Sequence, residues 1–293
     1  MSKPIVHLYT ICWDEADMLG FFFRHYDSWV DRYVIYDDGS TDGSLDILRA
    51  HPKVEVRSFA RVDPDSFVLS QTIMQDEVWK ESRGQADWVI ITAIDEHLWI
   101  PGQSMESYLS ARQKQGVTLI PALGFDIISQ TMPPDEGLLI DQIRQGQPSI
   151  LYSKLSIFDP NALKETNFAK GRHAAQPAGK LVLPKRDELL LWHFKRLGFE
   201  RTMAREKSQG ARLGRVDIAN AWGFQYLWSA ETFAAEWEKF RQDSIWLNPR
   251  SLRSARPEAT KLWWNLYEPA VRAKTPWSWL DRILRVILPT HRF

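Results

Sequence analysis

The chain has 293 residues, 44% of them hydrophobic, enough to bury the core of one large domain or of one domain with a smaller appendage. Lys plus Arg and Asp plus Glu both total 37, so the formal net charge is zero and no global field draws the chain to nucleic acid. The single cysteine, Cys12, excludes an internal disulfide and a paired-thiol zinc site and suits a reducing cytoplasm.

Residues 1–10 lack the apolar core and cleavage site of a signal peptide, so export is not expected. Residues 5–10 read as a short buried strand, after which Met18, Leu19, Phe22, Phe23 and Tyr26 recur at helical spacing. Residues 33–36 are a second β-type run. It leads into Asp37-Asp38-Gly39-Ser40-Thr41-Asp42-Gly43-Ser44, a turn-rich stretch, and Leu45, Ile47 and Leu48 then resume helical spacing. Residues 54–59 are a third candidate strand and about 67–83 a helix. Residues 88–94 form a strongly apolar run that ends at Asp95-Glu96-His97. Four strands alternating with helices predict a parallel α/β sheet with right-handed connections.

Past Pro101 the pattern is mixed, with candidate strands at 117–121, 151–158 and 189–194 between Pro- and Gly-containing loops. From about Glu200 the composition turns helical and rich in Arg and Trp. The expected organisation is a main domain over 1–200, with halves at 1–102 and 103–200, and a helical C-terminal extension over 201–293. No stretch reaches the ~20 apolar residues that span a bilayer. Residues 277–293 instead set Trp277, Trp279, Leu280, Ile283 and Ile287 beside Arg282, Arg285 and Arg292. That pattern fits a helix packed on the main domain or a peripheral contact with a membrane interface.

In open α/β sheets the ligand crevice lies beyond the carboxyl ends of the strands, so the acidic clusters after Tyr36 and after Ile94 should approach one site. Asp37 and Asp38 can accept hydrogen bonds from ribose hydroxyls or a base N–H; the competing reading is a helix cap with turn residues. Asp95-Glu96 offers carboxylate oxygens of the kind a hard divalent cation takes, or a cap for the next turn. The strand-helix junction at 10–15 has no glycine, so it lacks the Gly-rich turn of dinucleotide-dependent oxidoreductases.

Trp13-Asp14-Glu15, Phe22-Phe23-Arg24-His25-Tyr26, Asp37-Asp38-Gly39-Ser40-Thr41-Asp42 and Ile94-Asp95-Glu96, in that order, resemble the bacterial glycosyltransferase family 2-like proteins. The resemblance covers about residues 5–205. It implies a GT-A-type fold, a mixed, mostly parallel sheet flanked by helices, with nucleotide binding in residues 1–102 and acceptor and metal binding in 103–200. It further implies that Thr10, Glu15 and Asp38 line the nucleotide pocket and that Asp95 ends a metal-binding Asp-x-Asp element, whose first position is here Ala93. A Gly-x-His segment, Gly171-Arg172-His173, and a histidine after an apolar strand, His193, are implied near the donor phosphates, the latter as a ligand of metal or diphosphate. Lys154, Lys170, Arg172, Lys195 and Arg205 supply cations in the same half, and Arg can grip phosphate through two donors.

The function that follows is transfer of a sugar from a nucleotide-diphosphate donor to a glycan or lipid-linked glycan acceptor in bacterial surface glycan synthesis. Mn²⁺ or Mg²⁺ is expected to assist, held by Asp95 and His193. Thr10, Glu15, Asp37, Asp38, Arg172, His173 and Lys195 are expected around the donor. A carboxylate must deprotonate the acceptor if the reaction inverts the anomeric centre, and Glu96 and Asp126 are the candidates. The expected location is the cytoplasm, at the inner face of the membrane if 277–293 makes contact there. Ala93 favours an alternative, a GT-A-fold protein that binds nucleotide or glycan without turnover.

Overall fold

The computed structural model describes residues 3–248, 256–267 and 269–273; the segment 277–293, and with it the expected membrane contact, lies outside the described residues. Four strands, β1 (Val6–Cys12), β2 (Arg32–Asp37), β3 (Val54–Ser58) and β4 (Trp88–Ile91), stand in the order β3-β2-β1-β4 with every neighbouring pair parallel. Leu8, Val34, Ile35 and Ile90 are fully buried, as near-continuous apolar runs require when both sheet faces are covered. The connections carry α1 (Ala16–Tyr26), α2 (Ser44–Ala50) and α3 (Phe67–Glu77). In α1 the apolar positions at helical spacing, Met18, Leu19, Phe22 and Tyr26, all enter the core. The helix predicted over 67–83 is α-helical only to Glu77 and tightens into a 3₁₀ turn at Val78–Ser82.

The apolar run 88–94 is not one strand. It leaves the sheet after Ile91, turns with the Glu96 N–H donating to the Ala93 carbonyl at 3.1 Å, and re-enters as β5 (Glu96–Trp99). Next in the chain come α4 (Met105–Lys114), β6 (Leu119–Ser129), α5 (Leu139–Gln142) and β7 (Gln145–Phe158). The short β8 (Leu163–Glu165), β9 (Ala178–Gly179) and β10 (Val182–Leu183) precede β11 (Leu190–Leu197). The nine-stranded sheet runs β3-β2-β1-β4-β7-β6-β11-β5, and β12 (Ile245–Trp246) pairs with β7. β7 is antiparallel to β4 and β6, β11 is parallel to β6, and β5 is antiparallel to β11. The result is the mixed, helix-flanked α/β sheet expected, parallel in its first half and mixed in its second.

β6 and β7 are both longer than their sequence patterns suggested, and the register shifts twice along their pairing. At one of these irregularities Gly124 lies against the Tyr152 carbonyl so closely that a β-carbon would collide with it. After β11 the chain forms α6 (Phe199–Gly210), α7 (Arg215–Ala219) and α8 (Ala230–Asp243). The segment is not helical throughout, because β12 joins the main sheet and β13 (Val271–Arg272) pairs with β10. The α7 end is fastened to the first half, where the Asp217 carboxylate accepts from the Ser66 hydroxyl at 2.5 Å and from the Phe67 N–H at 2.9 Å.

Candidate active site

The carboxyl ends of β1 and β4 open into a cavity of about 280 Å³, which the turn at 93–96, β11, the 171–173 turn and α6 complete. Its position is the one the strand-end rule assigns. Glu15, Asp95, Glu96, Arg172, His173, His193 and Lys195 all line it, so residues from both halves of the sequence meet there.

Asp95 and His193 face each other. His193 Nε2 lies 3.4 Å from Asp95 Oδ2, and its Nδ1 lies 3.2 Å from Asp126 Oδ1. Burial alone would drive the imidazole neutral, but the two carboxylates outweigh it and raise its pKa. Burial likewise opposes ionisation of Asp95, yet His193 beside it holds the carboxyl well below the usual range. Two ligands of one small cation sit about 3 Å apart when each lies about 2.1 Å from it. The Asp95 and His193 atoms are close to that spacing, and the Asp126 contact at Nδ1 fixes the ring as a carboxylate partner fixes a metal-bound histidine. The pair would supply two ligands to a divalent ion, with the imidazole neutral, and the remaining ligands would have to come from other groups. Among the described residues no group of three or more His, Cys, Asp and Glu side chains is placed to hold a metal by itself.

Glu96, expected as a base, is instead the hub of a buried charge cluster. Its Oε1 accepts from Lys154 Nζ at 2.7 Å, and its Oε2 accepts from Arg172, from the Ala93 N–H at 3.0 Å and from the Thr92 hydroxyl at 3.2 Å. Although burial favours the neutral acid, Arg172 and Lys154 hold the carboxyl well below its ordinary value. A carboxylate with both oxygens filled and a depressed pKa is a poor proton acceptor. Asp126, the other candidate, is a strand residue. It lies inside β6, directly opposite His193 on β11, with its oxygens taken by His193 and Arg196, and it does not line the cavity.

The 171–173 turn is built to turn a cation inward. Gly171 and Arg172 both have left-handed backbones, with φ of 65° and 58°, and the Arg172 guanidinium donates to the Ile91 carbonyl at 2.6 Å as well as to Glu96. A non-glycine residue in that region is strained, and here the strain accompanies a 2% exposed side chain at the cavity wall. His173 is exposed at the cavity, and its Nδ1 pairs with the Leu151 carbonyl at 2.6 Å. Lys195 Nζ is 3.0 Å from Glu206 and 4.6 Å above the Tyr226 ring centre.

The β1 end of the cavity belongs to Glu15. Its Oε1 accepts from Arg205, which also donates to the Asp14 carbonyl at 3.1 Å, while Oε2 is buried without a hydrogen-bond partner among the described residues. Burial outweighs Arg205 and raises the Glu15 pKa to about 7. Asp38 does not line the cavity but is paired with Arg212 and lies 3.5 Å from Arg61, and both of those arginines do line it. Arg212 also sits 3.7 Å above the Trp13 ring centre. Thr10 is buried, its hydroxyl 3.4 Å from the Ile11 carbonyl, and it is not among the lining residues. Asp37 closes a turn and caps no helix: its carboxylate accepts from the Gly39 and Ser40 N–H groups at 2.9 and 3.1 Å, while the N-cap of α2 is Gly43.

Sequence reasoning missed Trp13, Arg61, Gln209, Arg212 and Tyr226 as lining residues. Arg212 and Tyr226 lay in a stretch legible only as helical and cation-rich, with no motif to single them out.

No known family model matches the chain, and no curated protein does. Among solved structures, 4-diphosphocytidyl-2C-methyl-D-erythritol synthase from Anaerococcus prevotii is similar at 11% identity and a TM-score of 0.29, over 54% of this chain and 72% of that one. Another structure of a synthase of that name matches at 12% identity and 0.27, over 55% and 77%. HddC from Yersinia pseudotuberculosis matches at 11% and 0.28, over 54% and 77%. Likeness this slight carries no inference about chemistry. Among the described residues no helix is long and apolar enough to cross a membrane.

Proposed function

We propose that the chain is a glycosyltransferase of the family 2-like, GT-A type, which moves a sugar from a nucleotide diphosphate to an acceptor hydroxyl. The observation that carries this reading is the convergence of Asp95 and His193, 3.4 Å apart, with Lys154, Arg172, Lys195 and Arg205 around one strand-end cavity. Such a set suits a substrate whose charge lies in a diphosphate. Glu15 would receive the nucleoside, its unpartnered Oε2 taking a ribose hydroxyl or base N–H, with Asp38 acting through Arg212 and Arg61. Arg172, His173 and Lys195 would face the phosphates.

Mn²⁺ or Mg²⁺ at Asp95 and His193 would neutralise charge on the departing diphosphate. The chain's own part is to orient His193 through Asp126, to keep Arg172 and Lys154 together on Glu96, and to hold the donor against a rigid strand-end wall. In this reading residues 1–200 are the catalytic domain and 201–293 an extension that supplies Arg205, Arg212 and Tyr226. The acceptor would be a glycan or lipid-linked glycan at the cytoplasmic face of the membrane, in surface polysaccharide synthesis. Ala93, at the first position of the Asp-x-Asp element, is what favours the second reading of a nucleotide- or glycan-binding protein without turnover.

Calorimetric titration with UDP, GDP, CDP and TDP, with and without Mn²⁺, separates these readings when repeated on Asp95→Ala. The transferase reading requires metal-dependent binding of a nucleotide that the variant loses, together with release of that nucleotide from its sugar conjugate. Binding without any release supports the second reading, and no binding under any condition removes the transferase reading and the nucleotide-binding form of the second.

A further inference from the structure

A second cavity, of about 190 Å³, shares a wall with the first. Lys195 lines the first cavity, Glu206 lines the second, and their ion pair at 3.0 Å joins the two. Alternation along β11 sends the next residue, Arg196, into the second cavity, where its guanidinium lies 4.2 Å from the Phe240 ring centre.

One face of α8 builds the opposite side. Phe233, Glu236, Trp237, Phe240 and Asp243 recur at helical spacing and all line the cavity, and Trp228 closes it from the preceding turn. Phe233 and Trp237 are buried and packed on Phe199, tilted and edge to ring respectively, while Trp228 and Phe240 are half-buried, one face of Phe240 being covered by Arg196. Between the rings sits Glu206, 8% exposed, whose Oε2 is buried with no hydrogen-bond partner among the described residues. A buried carboxylate oxygen left without a donor is costly unless a ligand or water supplies one.

We propose that this cavity is a saccharide-binding site. Sugars present C–H faces that pack on aromatic rings, and a rim of hydroxyls that each donate and accept. The cavity offers the matching pattern: half-buried rings, acceptors at Glu206, Glu236 and Asp243, and donors at Arg196 and Lys239. An ammonium ligand would find the rings and carboxylates but be opposed by Arg196 and Lys239. A phosphate would be opposed by the three acids. The inference does not rest on the transferase reading, because none of these side chains is assigned to the first cavity's chemistry.

Saturation-transfer NMR of the whole protein with free glucose, galactose, N-acetylglucosamine and maltose tests it. At least one sugar should receive saturation. Its affinity should fall roughly tenfold in Trp228→Ala, the scale of a lost ring contact with its buried area. Asp243→Asn, an exposed change that leaves the fold intact, should weaken binding as well, and Asp95→Asn should not. Absence of transfer to every sugar overturns the proposal, as does transfer that survives both second-cavity variants or disappears in Asp95→Asn.

Discussion

His193 is held between two carboxylates from separate elements, with Asp126 of β6 3.2 Å from Nδ1 and Asp95 of the turn before β5 3.4 Å from Nε2. Only the Asp95 side opens to the cavity, so Asp126 sets which nitrogen faces the substrate. Replacing Asp126 by Asn leaves the size unchanged but removes the charge that aligns the ring. In the presence of the nucleotide that binds, Mn²⁺ affinity should fall about 10–100-fold, the usual consequence of losing such a partner. Calorimetry with Mn²⁺ reads this directly, and an unchanged affinity would detach Asp126 from the site.

Glu96 gathers Lys154 and Arg172, and all three side chains are almost fully enclosed. Removing the shared carboxylate leaves two buried cations facing each other. Glu96→Ala should therefore cost about 3–5 kcal/mol of unfolding free energy, as breaking a buried ion pair does. Lys154→Met should cost less, because Arg172 still covers the carboxylate. Urea unfolding of both variants settles the order. A Glu96→Ala protein as stable as wild type, yet inactive, would return the residue to the role of base.

The acidic cluster after Tyr36 could be read from the sequence because an apolar run that stops at Asp-Asp marks a strand and its carboxyl end; the same sign marks Asp95-Glu96, although β4 ends at Ile91 and Glu96 opens β5. Arg172 and His193 could be placed near them through the resemblance. The role of Asp126 could not, because it comes from the register that sets Asp126 opposite His193 across β6 and β11. Local sequence does not encode pairing between strands far apart in the chain. The same holds for Glu96: its position after a strand suggests a ligand or base, and only the long-range arrival of Lys154 and Arg172 makes it a hub. The turn after Ile91 was hidden for a simpler reason, since Thr92, Ala93 and Ile94 are as compatible with a strand as the residues before them.

Gly124 admits the Tyr152 carbonyl at the β6–β7 irregularity, and the Tyr152 ring lies 4.0 Å from the His193 ring, centre to centre. A methyl group at position 124 would force the two strands apart. Gly124→Ala should lower stability by about 1–3 kcal/mol, as overpacking a tight core does. It should also shift the His193 imidazole resonances, because the ring above them moves. A variant that melts with wild type and keeps those resonances would mean the strands yield without disturbing the site.

Glu15 gives the site a pH signature. Burial raises its pKa from 4.5 to about 7 in the folded protein. With the folded value above the unfolded one, the linked stability is fully present below about pH 4.5 and is lost as pH rises through about 7. A shift of that size corresponds to about 3 kcal/mol across the window. Gln at this position cannot ionise, so the unfolding free energy of wild type should fall relative to that of Glu15→Gln between pH 4.5 and 7, and the difference should stop changing above 7. Nucleotide binding should move the wild-type curve, because a donor hydrogen bond to the unpartnered Oε2 favours the ionised form and draws the folded pKa down. Parallel curves for the two proteins would mean that Arg205 keeps Glu15 ionised throughout and that burial does not govern its charge.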